Sequence, residues 1–181
     1  MHFAQMVFFS FTFCFFVINI NDRKLLKDIN MQIILHIDIR KLSTDYEQAI
    51  NEYFKRTSAF ANISMKLYKD FTRISLKDNS YKFVVVSGKD SLTSTEFAKK
   101  ITKISLKGYS CIEFIIIEKK LYEDICTDNN NYTDKTLDLS DENYEIFNLT
   151  SMNIGVEPTA TALAEQIYRA YTINNNINYH K

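Results

Sequence analysis

The chain ends in Tyr179, His180 and Lys181, which set an aromatic ring, an imidazole and a cation side by side. Such a trio can stack on a nucleobase, exchange a proton near neutral pH and hold a phosphate. Upstream of it, Arg169 offers a planar guanidinium suited to a phosphate or a base edge. Both features have plain alternatives. The terminal trio also reads as the frayed end of a C-terminal helix, and Arg169 as half of a helix-surface ion pair. His36 lies within an apolar run and reads as a structural histidine with its hydrogen bonds satisfied. The three cysteines, Cys14, Cys111 and Cys126, are odd in number and lack metal-ligand spacing, so neither a disulfide framework nor a zinc site is supported. Cys111 opens an apolar run and reads as an inert core residue.

The elements that must position these groups are legible from the periodicity. The 181 residues are 46% hydrophobic and 24% charged, the composition of a globular domain with a core of its own. From Met31 onward, strand and helix patterns alternate. Residues 31–39 form a branched, apolar strand. Thr44 with Glu47 makes a capping box, after which Tyr46, Ala49, Ile50, Tyr53 and Phe54 share one helical face. Short strands are expected at 63–67 and 82–86, the second turning out through Ser87, Gly88 and Lys89. A second capping box, Thr93 with Glu96, opens a helix along Phe97, Ile101 and Ile104 that stops near Gly108. Residues 111–117 are nearly all apolar, as expected of a central parallel strand covered on both faces. Ala160, Leu163, Ala164, Ile167 and Tyr171 recur at helical steps behind Pro158, which a first turn tolerates. The alternation predicts an α/β domain with a mostly parallel sheet flanked by helices.

Residues 3–20 form an apolar stretch near the minimum length of a membrane span, about 17–25 residues. It reads as a targeting segment directing the chain to an organelle, with a membrane anchor as one alternative. The other is translation from Met31, which would leave a cytoplasmic protein. The domain expectation is thus a hydrophobic N-terminal segment over 1–30 and one domain over 31–181. Residues 123–145 are acidic and Asn-rich, with eight carboxylates and one lysine, and read as a solvated surface insertion of little function. They mask a charge asymmetry. From Met31 onward there are 19 Lys plus Arg against 20 Asp plus Glu, whereas outside 123–145 the balance is 18 against 12. That surplus permits a phosphate-binding surface, or simply solvent-facing lysines.

Residues 165–170, Glu-Gln-Ile-Tyr-Arg-Ala, followed by the terminal Tyr-His-Lys, resemble the C-terminal signature of the ribosomal RNA large subunit methyltransferase H family, which are small SPOUT methyltransferases. The likeness runs on through residues 49–56 and through Gly88, Lys89, Ser94, Glu96 and Ala98. It implies a homodimer with a C-terminal trefoil knot and an active site near the subunit interface. It also implies S-adenosylmethionine as cofactor and N3 of a pseudouridine in large-subunit ribosomal RNA as target. Transfer of a methyl group in line to that nitrogen would depend mainly on positioning.

The cofactor loops implied by the resemblance are Val84 ahead of the Gly88 turn, Ile116 after the central strand, and Leu149, Thr150, Ser151, Met152, Asn153 and Ile154. The RNA-facing residues it implies are Arg169, Tyr179, His180 and Lys181, with His180 the candidate proton acceptor. This chain departs from the family where a glycine pair and a third glycine are replaced by Ile116, Ile117 and Lys120. Glycine allows close backbone approach and positive φ, and isoleucine resists both. Gly155 and Val156 stand where the family has Pro-His, and Ala160 replaces an arginine. Two readings follow: a ribosomal RNA methyltransferase of an organelle or bacterial-type ribosome, or a degenerate SPOUT homologue that binds RNA or the ribosome as a dimer without cofactor.

Overall fold

A computed structural model of the chain describes residues 31–126 and 144–177. The N-terminal segment over 1–30, most of the acidic stretch over 123–145 and the trio Tyr179, His180 and Lys181 lie outside the described residues. The elements run β1 (Gln32–Ile37), α1 (Thr44–Thr57), β2 (Asn62–Leu67), β3 (Tyr81–Ser87), α2 (Ser94–Leu106), β4 (Cys111–Ile116), α3 (Lys119–Cys126), β5 (Tyr144–Thr150) and α4 (Val156–Asn174), with a 3₁₀ turn at Phe71–Arg73. The strands form one sheet in the order β2-β1-β4-β3-β5, and every pairing is parallel. The α/β class and the parallel sheet therefore stand as the alternation of patterns implied.

β4 occupies the middle of the sheet, and each of its six residues is buried. That is the burial expected of a continuous apolar run with strands on both sides and layers on both faces. One face of the sheet carries the main core. Ile33, Leu35 and Ile37 of β1 and Ile112, Phe114 and Ile116 of β4 point into it. Phe83, Phe97, Phe114 and Phe147 form a ring cluster there, with Phe83 and Phe114 stacked 5.1 Å apart. α4 packs against both α1 and α2 over this face. Its Ala160, Leu163, Ala164 and Ile167 are fully buried, so the period seen in the sequence is the buried stripe. Tyr171 extends that stripe and stacks on Phe60.

The helix ends match the sequence in one case and not in the other. Thr93 caps α2 by accepting from the Glu96 amide at 3.3 Å, and the Glu96 carboxylate returns to the Thr93 amide at 2.8 Å. Gly108 follows α2 at φ +90°, a conformation glycine adopts without strain. The box expected from Thr44 and Glu47 does not form. Ser43 takes the N-cap position, and its amide donates at 2.6 Å to Glu157 of α4. A carboxylate from another helix supplies the acceptor that the local side chain was expected to supply. α3 and β5 were not foreseen, and they take up the two ends of the acidic stretch, Glu123 in α3 and Tyr144 and Glu145 in β5.

The opposite face is thinner and more polar. Val84, Ile115 and Ile117 form a small apolar cluster there with Phe71 and Ile74. Beside it, His36 and Glu113 are wholly buried and joined at 3.0 Å. The other imidazole nitrogen, Nδ1, lies 2.7 Å from the Tyr68 hydroxyl, so His36 is the satisfied histidine the sequence suggested. The second oxygen of Glu113 accepts from the Lys77 amide at 2.9 Å and from Ser80 Oγ at 2.5 Å. Burial pushes the Glu113 carboxyl up, but the bonds from His36, Ser80 and the Lys77 amide outweigh it and hold it below the usual range. Cys111 is buried, and burial raises its thiol pKa, as befits an inert core residue.

Candidate active site

The ends of three parallel strands bring the expected loops together. β3 contributes Val85, Val86 and Ser87, β5 contributes Leu149 and Thr150, and Ile117 follows β4. The loop after β5 adds Asn153 and Ile154, and Thr159 closes the cleft from the start of α4. The carboxyl ends of the strands in an open parallel sheet are where ligands of such folds bind.

Two local features shape this cleft. The pairing of β3 with β5 slips between Val86 and Ser87, so Ser87 sits opposite Thr150 and Leu149 becomes the extra residue of a bulge. A bulge bends its strand, and here it leaves Leu149 bordering the cleft while packed against the main core. The Gly88 amide then donates to the Thr150 carbonyl at 2.9 Å. A Cβ on Gly88 would lie 2.4 Å from Asn148 Oδ1, so any larger residue there would have to displace the Asn148 side chain.

The expected site residues divide. Leu149, Thr150, Asn153 and Ile154 line the cleft, whereas Ser151 and Met152 project from the loop, Met152 being 69% exposed. Val84 is buried on the polar face against Ile115, one residue short of the lining. Ile116 is fully buried under the helices, and its carbonyl accepts from the Asp38 amide at 3.0 Å. It is Ile117, not Ile116, that faces the cleft. Arg169 lies ten residues beyond Thr159 along α4, about 15 Å at helical rise, and pairs with Glu165 at 2.7 Å. Within one chain it is therefore remote from this cleft.

The cleft holds only about 20 Å³. A water needs roughly 10–15 Å³ on this measure, and small-molecule sites span about 300–1,000 Å³. In this arrangement the residues do not fit a nucleoside cofactor. The backbone shows why: among the described residues the one non-glycine at positive φ is Asn176, so Ile116, Ile117 and Lys120 keep ordinary strand and helix geometry. The branched side chain of Ile117 packs inward against the small cluster.

Val85, Val86, Ser87, Ile117 and Thr159 line the cleft without having been expected there. The first four neighbour the expected Val84 and Ile116 in sequence, whereas only its place in a helix's first turn would have signalled Thr159. Outside the lining, Asp38 directly follows β1. Burial, and then the neighbouring Glu118 and Asp70, push its carboxyl above the ordinary aspartate value. A carboxylate closing a run of apolar residues was the available signal.

Comparison with known proteins bears on this site. The family model described as predicted SPOUT methyltransferase matches residues 31–180. Ribosomal RNA large subunit methyltransferase H 1 of Thermoanaerobacter sp. (strain X514) is 30% identical over 143 residues, covering 78% of this chain and 92% of that protein. The large subunit methyltransferase H of Dictyoglomus thermophilum is 29% identical over 173 residues, covering 84% and 99%. That of Enterococcus faecalis is 28% identical over 167 residues, covering 80% and 97%.

Proposed function

The chain belongs to the SPOUT methyltransferase family, and from that premise we propose that it methylates large-subunit ribosomal RNA. The observation that carries this reading is the convergence of the β3, β4 and β5 ends on one cleft, in a chain whose relatives are named for that activity. Within the proposal, S-adenosylmethionine is the methyl donor and N3 of a pseudouridine the acceptor. The ribosome is of bacterial type, in an organelle reached through residues 1–30.

The chain's own residues would act by position. The loop over 151–155 is exposed at Ser151, Met152 and Asn153, and for the cleft to admit a nucleoside cofactor this loop would have to move away from Thr159. The distance of Arg169 from the cleft of its own chain suits the family's homodimeric, knotted assembly, in which Arg169, Tyr179, His180 and Lys181 would serve the cleft of the partner. In that arrangement His180 is the candidate proton acceptor for the imide nitrogen.

A second reading has an observation of its own. The 20 Å³ cleft and the inward packing of Ile117 favour a SPOUT homologue that keeps RNA contact and has lost the cofactor. Calorimetric titration with S-adenosylmethionine separates the two. Binding by the wild type supports methyl transfer, and silence at millimolar cofactor with RNA binding retained establishes the second reading. Ile117→Gly should tighten cofactor binding at least tenfold if side-chain bulk is the obstacle, with Ile117→Ala as the milder variant. A fluorescent fusion with and without residues 1–30 tests the localisation.

A further inference from the structure

A different concavity lies near the sheet's β5 edge. It lies along α2, measures about 380 Å³ and opens to solvent. Lys99, Lys100, Lys103 and Lys107 line it from the helix, and Tyr81 and Glu145 from the starts of β3 and β5. The other side of α2 buries Phe97, Ala98, Ile101 and Ile104, which fixes the helix's rotation. The core thus fixes which side of α2 the lysines occupy.

The acidic groups of the groove are already engaged. One oxygen of Glu145 pairs with Lys100, and the other accepts from Tyr81 Oη at 2.5 Å. Glu96 is committed to the N-cap, accepting from the Thr93 amide and from Thr93 Oγ1 at 2.7 Å. Lys99, Lys103 and Lys107 are exposed. Their spacing of four residues sets successive ammonium groups about 6 Å apart along the helix axis, comparable with the step between phosphates of an RNA strand. α2 follows β3 in a parallel sheet, so its N-terminal end lies at the end of the sheet that holds the cleft. The stripe runs from the N-terminal edge of the sheet toward that end.

We propose that the groove between α2 and β5 is a docking surface for the sugar–phosphate backbone of RNA, held by Lys99, Lys103 and Lys107. The choice of RNA as the polyanion rests on the ribosomal RNA reading above. Contact of this kind is largely independent of sequence and depends on salt through counterion release, with a slope near −0.7 per phosphate for single strands. The groove would thus supply affinity and register, leaving base selection to other residues.

The test compares binding of a large-subunit ribosomal RNA fragment to the wild type, to K99Q/K103Q/K107Q, and to a control, K55Q/K66Q/K69Q, whose exposed lysines lie on α1 and by the β2 edge. The groove variant should bind about 10- to 100-fold more weakly at low salt, and its slope of log K against log salt should flatten by about two. The control should change little. An unchanged affinity and slope in the groove variant, an equal loss in the control, or no RNA binding by the wild type would each overturn the proposal. Cofactor titration of the same groove variant should match the wild type, because none of the three lysines lines the cleft. Absence of cofactor binding in both, with the RNA result as expected, would sink the methyl-transfer reading and leave the groove standing.

Discussion

The two faces of the sheet are built on different physics, although adjacent residues of one strand serve them. Phe114 points into the helix-covered face, where it meets Phe83, Phe97 and Phe147. Glu113, one residue earlier, points the other way and holds together His36, Ser80 and the Lys77 amide. Apolar contact is non-directional and tolerates repacking. A buried carboxylate is held only by partners at defined places, and removing it leaves their polar groups without an acceptor. The segment from Tyr68 to Ser80 runs over this second face, packed there by Phe71 and Ile74 and bonded through Lys77 and Ser80 to Glu113. The helix-covered face gains its stability from area, the other from a smaller apolar cluster together with a few directed bonds.

The largest effect should therefore come from Glu113. Glu113→Ala is expected to cost about 3–5 kcal/mol, the range for breaking a buried charged network, measured by urea denaturation. Because the folded-state pKa is depressed, the carboxylate contributes fully above the unfolded value of about 4.3, and that contribution is lost as pH falls through the lower folded value. The wild type should lose stability on acidification over this window, and Glu113→Gln should lose less. A cost for Glu113→Ala below about 1 kcal/mol, the scale of an ordinary hydrogen bond, would refute the picture of a face held by directed bonds.

Phe114→Leu, on the apolar side, should cost about 1–2 kcal/mol, because neighbouring rings can close part of the space. Its cost should not vary between pH 4 and pH 7. If the neighbouring position proved as sensitive to pH as Glu113, the two faces would not be independent.

This contrast also explains what the sequence disclosed. The buried stripe of α4, the box at Thr93 and the wholly buried β4 depend on period and local spacing, and all are visible in one dimension. The Ser43–Glu157 bond, the bulge at Leu149 and the bonds of Glu113 to Lys77 and Ser80 join residues far apart in sequence, and no local pattern encodes them. β5 was hidden for another reason: its residues follow directly on an acidic, Asn-rich stretch whose composition argues against a strand. For the site, the resemblance supplied the third loop, and four of its six residues line the cleft. It did not distinguish Ile116 from Ile117, because only the pleat decides which of two adjacent isoleucines enters the core.

The smallest expected effect lies at Asp38, and its sign is opposite to that of Glu113. Burial, then Glu118 and Asp70, raise its folded-state pKa, so the charged form is the less favoured one in the fold. Keeping Asp38 ionised costs stability at pH values above the raised pKa. The cost disappears as pH falls through that value toward about 3.9, the ordinary aspartate pKa. Asp38→Asn should therefore stabilise the protein slightly at pH 7, by less than about 0.5 kcal/mol, as for substitutions near the surface. The gain should vanish in acid, where Glu113→Gln begins to gain relative to the wild type. Thermal denaturation of both variants across pH 3–7 would show the two trends crossing. If Asp38→Asn instead destabilised the protein at neutral pH, the fold would depend on a contact of the Asp38 carboxylate that outweighs its unfavourable burial.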